Sequence, residues 1–277
     1  MFERRTTDPV RLQALAREIR KSVIRSLTAA GSGHLGGSLG LADIFTALYF
    51  SFLNHDPDKP GWSDRDRLIL SIGHVAPVLY ATLSHCGYFP VEELLTLRKL
   101  GSRLQGHPGR DHGLPGLELS AGSLGQGLSV ATGMALAAKL DGRSNRVVTI
   151  LGDGELQEGS VWEAAMAASH HNLGNLLAIV DRNGVQIDGD TEKVMALEPL
   201  EAKWQSFGWH VLSCNGHDFN EILDAFHKAG EWRSSPAVIL AHTQMGKGIP
   251  SIEGDYRWHG KAPSPEQAAG FLQILSS

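Results

Sequence analysis

The sequence is poor in cysteine and has no long apolar run. Only Cys86 and Cys214 occur in 277 residues, too few for a disulfide scaffold or a cysteine-based zinc cluster. No stretch of about 18 apolar residues is present, so the sequence predicts no membrane-spanning helix. Residues 1–10 lack the apolar segment of a secretory signal peptide. These absences predict a protein of the reducing cytoplasm.

The sequence also has no excess of positive charge. Lys and Arg total 25 against 30 Asp and Glu, which gives a net charge of −5. Such a chain has no electrostatic footprint for nucleic acid or for an anionic membrane. With 42 % apolar and 20 % charged residues it can bury a full core. Because no repeat or Pro/Gly/Ser-rich linker interrupts it, we expect one domain over residues 1–277.

What is present is a strand–helix–strand pattern. The β-branched run 147–151 and the apolar run 176–180 flank a helical stretch over about 159–171, and this order is typical of a parallel sheet. Runs 68–71, 210–213 and 237–241 are further strand candidates. The pattern predicts an α/β fold, a doubly wound and mostly parallel sheet with helices on both faces and an N-terminal helical elaboration.

The N-terminal part and the loops also give local predictions. Asp8 and Pro9 are placed to start a helix that Gly31 ends, and residues 90–100 are predicted to form another. The glycine content, 32 of 277 residues, is high. Because the glycines cluster in short segments such as 31–40, we expect loops there that approach a ligand closely.

The segment GDGELQEG, residues 152–159, ends one strand and opens a helix. Backbone N–H groups and the helix dipole favour a phosphate at such a place, beyond the carboxyl end of the strand. Asp153 adds a carboxylate, and a carboxylate beside a phosphate indicates Mg²⁺. Asn183 follows the next strand after residues 155–182, which number 28. That length fits one helix and one strand, so Asp153 and Asn183 can share the metal.

This spacing resembles the thiamine diphosphate motif, and the whole set of motifs resembles the transketolase family. The matching segments are SGHLGG (32–37), DRLILSIGH (66–74), GHP (106–108), GSLGQG (122–127), GDGELQEG (152–159), DRNGVQIDG (181–189), GWHV (208–211), GHD (216–218) and WHG (258–260). The resemblance implies the thiamine diphosphate-binding fold and the domain that holds the cofactor diphosphate. The pyrimidine-binding and C-terminal domains of the family have no counterpart in residues 1–277.

The resemblance therefore implies the N-terminal subunit of a two-chain transketolase. Such an enzyme transfers a two-carbon ketol unit from a ketose phosphate to an aldose phosphate in carbohydrate metabolism. Pentose phosphates are the default substrates, and branched-sugar phosphates and sulfonated sugars stay open as alternatives. It would need a separate C-terminal subunit, which would supply the glutamate that activates the cofactor. We expect a two-fold assembly, a heterotetramer, and no nucleic acid or membrane partner.

The resemblance also implies roles for individual residues. Mg²⁺, or Ca²⁺ or Mn²⁺ in its place, would be held by Asp153, Asn183 and the carbonyl of Val185. The expected cofactor-binding residues are Gly122, Ser123, Leu124, Gly152, Asp153, Gly154, Glu158, Asn183 and Lys247. Glu158 and Glu163 match glutamates that carry protons between two active sites. Ser123 and Ile72 depart from the Pro and Lys that are usual at these places.

Four histidines, His34, His74, His107 and His259, match the catalytic histidines of the family. His34 and His259 would face the acceptor and the reaction centre, His74 would lie by the diphosphate, and His107 would reach the donor hydroxyls. Histidine suits proton transfer near neutral pH. Three alternatives stay open: a 1-deoxyxylulose-5-phosphate synthase-like enzyme, a 2-oxoacid dehydrogenase α-type thiamine enzyme, and a non-catalytic subunit that only binds thiamine diphosphate.

Overall fold

The computed structural model describes residues 5–276, so residues 1–4 of the N-terminal segment considered above lie outside the described residues. In the described part of the chain, no helix combines the length and the apolar character needed to cross a bilayer. Cys86 and Cys214 are both buried and unpaired with each other.

The N-terminal elaboration is a layer of helices that begins where the sequence predicts. Asp8 accepts a hydrogen bond from the N–H of Val10 and Pro9 follows it, while Gly31 ends the helix in the left-handed region at φ 69°. The helices of this layer are α1 (Pro9–Ala30), α2 (Leu35–Gly40) and α3 (Ala42–Ala47), which continues as a π-helical segment over Leu48–Phe52.

The rest of the chain alternates strands with helices. The strands are β1 (Arg67–Leu70), β2 (Val147–Gly152), β3 (Leu176–Arg182), β4 (Val185–Gln186), β5 (Gly189–Asp190), β6 (His210–Asn215) and β7 (Ala237–His242). The helices are α4 (Ala76–His85), α5 (Gly127–Leu140), α6 (Gly159–His170), α7 (Thr191–Val194), α8 (Leu200–Ser206), α9 (Phe219–Glu231) and α10 (Pro265–Ile274).

Five of these strands form one parallel sheet in the order β1-β2-β3-β7-β6, and β4 and β5 form a small antiparallel hairpin. Alternate residues of a strand enter two different cores. Val148 and Ile150 pack with the N-terminal helices and α9, whereas Val147 and Leu151 pack with α5, α6 and α8. Helices therefore cover both faces, and the predicted fold class is confirmed.

Two local predictions need correction. Residues 90–100 were expected to form a helix, but only a 3₁₀ turn over Val91–Thr96 is present. The glycine-rich segment 31–40 was expected to be a loop, yet it contains the buried helix α2. Glycine is used there because neighbouring chain lies too close for a side chain: a Cβ on Gly40 would lie 3.0 Å from the carbonyl oxygen of Gln244.

Candidate active site

A cavity of about 400 Å³ lies at the carboxyl ends of β1, β2 and β3, where open parallel sheets bind ligands. The sequence-predicted site residues that line it are His34, His74, His107, His259, Gly122, Leu124, Gly152, Asp153, Gly154, Glu158, Asn183 and Val185. The fold therefore brings residues from distant parts of the sequence to one cavity.

Three predicted residues do not line this cavity. Ser123 is exposed to solvent, although its neighbours Gly122 and Leu124 line the cavity. Glu163 is exposed on α6. Lys247 lies near Glu253, with 3.8 Å between Nζ and Oε1. Ile72, which departs from the family pattern, does line the cavity and is buried, so an apolar side chain occupies the place where the family often has a lysine.

Asp153 is buried at the floor of the cavity, with 1 % of its surface exposed. Its Oδ1 accepts from the N–H of Gly154 at 2.8 Å, and its Oδ2 accepts from the N–H of Gly184 at 2.7 Å. Arg182 Nη1 lies 3.2 Å from the same Oδ2. Burial nevertheless raises the pKa of Asp153 above its usual value. The effect of burial therefore outweighs that of Arg182 and the two backbone N–H groups.

Asn183 and Asp181 extend this oxygen-rich floor. The side-chain amide of Asn183 donates to Asp181 Oδ2 at 2.8 Å, and its Oδ1 accepts from the N–H of Val185 at 3.0 Å. Burial, together with the nearby charge of Asp153, raises the pKa of Asp181 to about 7. Two buried carboxylates and an amide oxygen are hard donors that fit a hard divalent cation.

The described residues contain no group of three or more His, Cys, Asp or Glu placed to hold a metal ion. A cation at this floor would therefore need amide and backbone oxygens beside the carboxylate of Asp153.

Gly154 suits close approach of a phosphate. A Cβ at Gly154 would lie 2.9 Å from Cβ of Gln186, so the turn after β2 has no room for a side chain.

Glu155 is a buried residue of the cavity wall that the sequence analysis missed. Its carboxylate accepts from the hydroxyl of Ser71, from the N–H of Gly125 at 2.8 Å and from the N–H of Gly152 at 3.2 Å. It therefore joins the end of β1, the loop before α5 and the end of β2. No periodicity marks it, although a glutamate within a glycine-rich strand end could have been noticed.

The four predicted histidines form one cluster over the cavity. The centroid of the His34 ring lies 5.0 Å from that of His74, 6.1 Å from that of His107 and 5.6 Å from that of His259. The centroids of His74 and His259 are 4.9 Å apart. Nδ1 of His34 is buried and has no hydrogen-bond partner in the described structure.

Burial and mutual proximity keep these imidazoles neutral. The pKa of His74 is lowered to about 3 and that of His34 to about 4, first by burial and then by His259 and other neighbours. Burial also lowers the pKa of His107 and of His259. A neutral imidazole has one donor and one acceptor nitrogen. The cluster therefore offers both hydrogen-bond donors and acceptors to the cavity.

Arg98 is a second residue that the sequence analysis missed. Its backbone has φ 61°, a left-handed conformation that is uncommon outside glycine. The guanidinium lies over Gly106, where a Cβ would be 2.5 Å from Nη2, and Nη1 donates to Ser32 Oγ at 3.3 Å. Its charge contributes to lowering the pKa of His34 and His107. A loop arginine carries no sequence signal for this placement.

The comparisons with known proteins agree with this geometry. A family model described as "Transketolase, thiamine diphosphate binding domain" matches residues 12–271. The chain therefore belongs to the transketolase family and carries the thiamine diphosphate-binding domain of that family. This match confirms the predicted resemblance. The chain is thus a subunit of a transketolase-type enzyme.

Two similar proteins are themselves named as transketolase subunits. The chain is 46 % identical over 248 residues, 90 % of each protein, to "6-deoxy-6-sulfo-D-fructose transketolase subunit SqwG" from Clostridium sp. (strain MSTE9). It is 42 % identical over 256 residues, 92 % of this chain and 90 % of the other, to one of the subunits of apulose-4-phosphate transketolase from Phocaeicola vulgatus.

Solved transketolases share the fold but are longer. The enzyme from Leishmania mexicana matches with a TM-score of 0.90 at 32 % identity, over 96 % of this chain and 41 % of that one. The enzyme from Campylobacter jejuni matches with a TM-score of 0.87 at 36 % identity, over 95 % and 42 %. The chain thus spans less than half the length of these solved transketolase chains.

Proposed function

We propose that this chain is the N-terminal subunit of a two-chain transketolase. With a separate C-terminal subunit, it transfers a two-carbon ketol unit from a ketose phosphate to an aldose phosphate. The observation that carries the proposal is the cluster of four neutral histidines above a floor of buried oxygen donors. Two relatives of similar length, named as transketolase subunits, support a division into two chains.

In this proposal the floor holds the cofactor and its metal. Asp153, Asn183 and the carbonyl of Val185 would hold Mg²⁺, for which Ca²⁺ or Mn²⁺ could substitute, and Gly154 would lie against the diphosphate. Gly122 and Leu124 would lie against the aminopyrimidine. Thiamine diphosphate, when bound, stabilises the carbanion that forms when a C–C bond beside a carbonyl breaks.

The histidines handle the substrate. His107 holds the donor hydroxyls, and His34 and His259 give and take protons at the hydroxyl and carbonyl oxygens of the acceptor. His74 would lie by the diphosphate. The proposed enzyme acts in the cytoplasm, as a heterotetramer with two copies of each chain. Pentose phosphates are the default substrates, while relatives are named for a sulfonated sugar and a branched-sugar phosphate.

The test is purification of the tagged chain from its native source, followed by intact mass measurement and a transfer assay. We expect a stoichiometric partner, and transfer that depends on thiamine diphosphate and Mg²⁺, with a panel of ketose phosphates and sulfonates as donors. The variant Asp153→Ala should abolish transfer, whereas His227→Ala, at an exposed site on α9, should not. A chain that purifies alone, holds cofactor and transfers nothing would instead be a non-catalytic binding subunit.

A further inference from the structure

His217, in the GHD motif, lies outside the cavity and has two hydrogen-bond partners. Its Nδ1 is 2.8 Å from Asp43 Oδ2, and its Nε2 is 2.8 Å from the backbone nitrogen of Gln244. A backbone N–H only donates, so Nε2 must accept and the ring proton must reside on Nδ1. The two partners together therefore select one neutral tautomer of His217.

Asp43 is held as a buried carboxylate in front of this imidazole. It is 4 % exposed, and Arg20 binds both of its oxygens, at 2.9 Å from Nη1 and 2.6 Å from Nη2. Burial raises the pKa of Asp43, but Arg20 and the hydrogen bond from His217 bring it below its usual value. Arg20 Nε also donates to the carbonyl of Leu39, at 3.1 Å, which ties the pair to α2.

The backbone that His217 contacts belongs to residues 243–246, which we call the strap. At one end of the strap, the hydroxyl of Thr243 donates to Asp181 on the oxygen-rich floor. At the other end, the N–H of Gly246 donates to the carbonyl of Gly36 in α2 at 2.9 Å. The strap therefore joins the floor to the helix that His34 precedes as its N-cap.

The strap is packed tightly between these ends. Met245 is 1 % exposed and lines the cavity. A Cβ on Gly36 would lie 2.5 Å from Cγ of Met245, and a Cβ on Gly40 would lie 3.0 Å from the carbonyl oxygen of Gln244. With so little space, a shift of Gln244 would be transmitted both to α2 and to the cavity wall.

We propose that His217, oriented by Asp43, is a positioning residue that fixes the strap and thereby the placement of His34 relative to the oxygen-rich floor. Its catalytic consequence rests on the proposed transketolase function. Around metal sites a carboxylate likewise fixes an imidazole so that its other nitrogen meets a defined partner, and removing such an orienting group there typically costs about 10- to 100-fold in metal affinity or activity.

Two substitutions distinguish the hydrogen bond at Nδ1 of His217 from the one at Nε2. In His217→Asn the amide can still donate to Asp43 but is too short to accept from Gln244, whereas in His217→Gln the longer amide can still accept from the strap. We expect His217→Asn to lower kcat by about tenfold, with the affinity for thiamine diphosphate within about twofold. His217→Gln should recover most of the loss, and the exposed control His227→Asn should show none.

NMR of the full chain tests the proposal without any activity. The ¹⁵N shifts of His217 should report a proton on Nδ1. Exchange of the Gln244 amide should accelerate in the Asn variant by about tenfold or more, and the ring signals of His34 should shift there but not in the Gln variant. If transfer is absent altogether, the proposed function fails while these readouts still decide this proposal.

Three results would overturn the inference. One is a proton on Nε2 of His217. Another is unchanged Gln244 exchange and unchanged His34 signals in the Asn variant. The third is an equal loss of kcat in the Asn and Gln variants together with an equal loss of stability, because that pattern describes a residue that only supports the fold.

Discussion

The neutral histidine cluster should make the free energy of unfolding of this chain fall in mild acid, and His74 should contribute most clearly to this loss. Its pKa is about 3 in the folded chain, mainly because it is buried, against an ordinary value of about 6.5 when unfolded. Between these values the unfolded chain binds a proton at His74 that the folded chain does not. Stability from this residue is therefore complete above about pH 6.5 and is lost as pH falls toward 3.

The size of the effect follows from proton linkage. Each pH unit in that window costs about 1.4 kcal/mol per histidine. Between pH 7 and pH 5, His74 alone should remove up to about 2 kcal/mol from the free energy of unfolding. His34 acts in the same direction. Because its pKa of about 4 also lies below 5, its upper limit over this interval is similar, and solvent screening reduces it since His34 is less buried than His74.

Urea unfolding at pH 7 and pH 5, with the cofactor absent, measures this. The variant His74→Asn should lose less stability over the interval than the original chain, by up to about 2 kcal/mol. The exposed control His227→Asn should follow the original chain. If His74→Asn loses as much stability as the original chain between the two pH values, His74 is not held neutral by burial and the reasoning is refuted.

Three further predictions concern the cavity. Asp153→Ala should abolish Mg²⁺-dependent retention of thiamine diphosphate, and unchanged binding in calorimetry would contradict the metal assignment. His107→Ala should impair use of the donor, seen as a raised donor KM, more than cofactor binding; an equal loss of both would mean a structural role. Arg98→Gln should raise the pKa of His34 and His107, because it removes a nearby positive charge, and an NMR titration of the rings with no upward shift would argue against this.

Local chemistry explains which elements the sequence predicted well. Asp8 and Gly31 bound α1 because a side-chain cap and a left-handed residue are local requirements. β2 and β3 were recognisable because a strand buried on both faces must be continuously apolar. The ends of these strands then brought Asp153 and Asn183 to one cavity. Spacing alone was enough for that, since parallel neighbours end at the same edge.

Tertiary contacts explain what the sequence did not predict. Segment 31–40 is rich in glycine, which disfavours a helix, but these glycines lie in or beside α2 because Gln244 and Met245 leave no room for a side chain at Gly36 and Gly40. Segment 191–206, for which no element was predicted, contains α7 and α8. Glu155 has no periodic signal because its partners come from three separate segments.

The buried ionisable side chains of this chain differ in how well neighbouring groups compensate their burial. Burial raises the pKa values of Asp153 and Asp181 and lowers those of His74 and His34, so each of these side chains is harder to ionise than it would be in water. Asp43 is the opposite case, because Arg20 and His217 satisfy it fully. All four of the side chains that are harder to ionise line the cavity, and perturbed pKa values in a cleft are typical of a functional site, so we expect ligands to bind there. Asp43, with Arg20 and His217, instead supports the strap that lines this cavity.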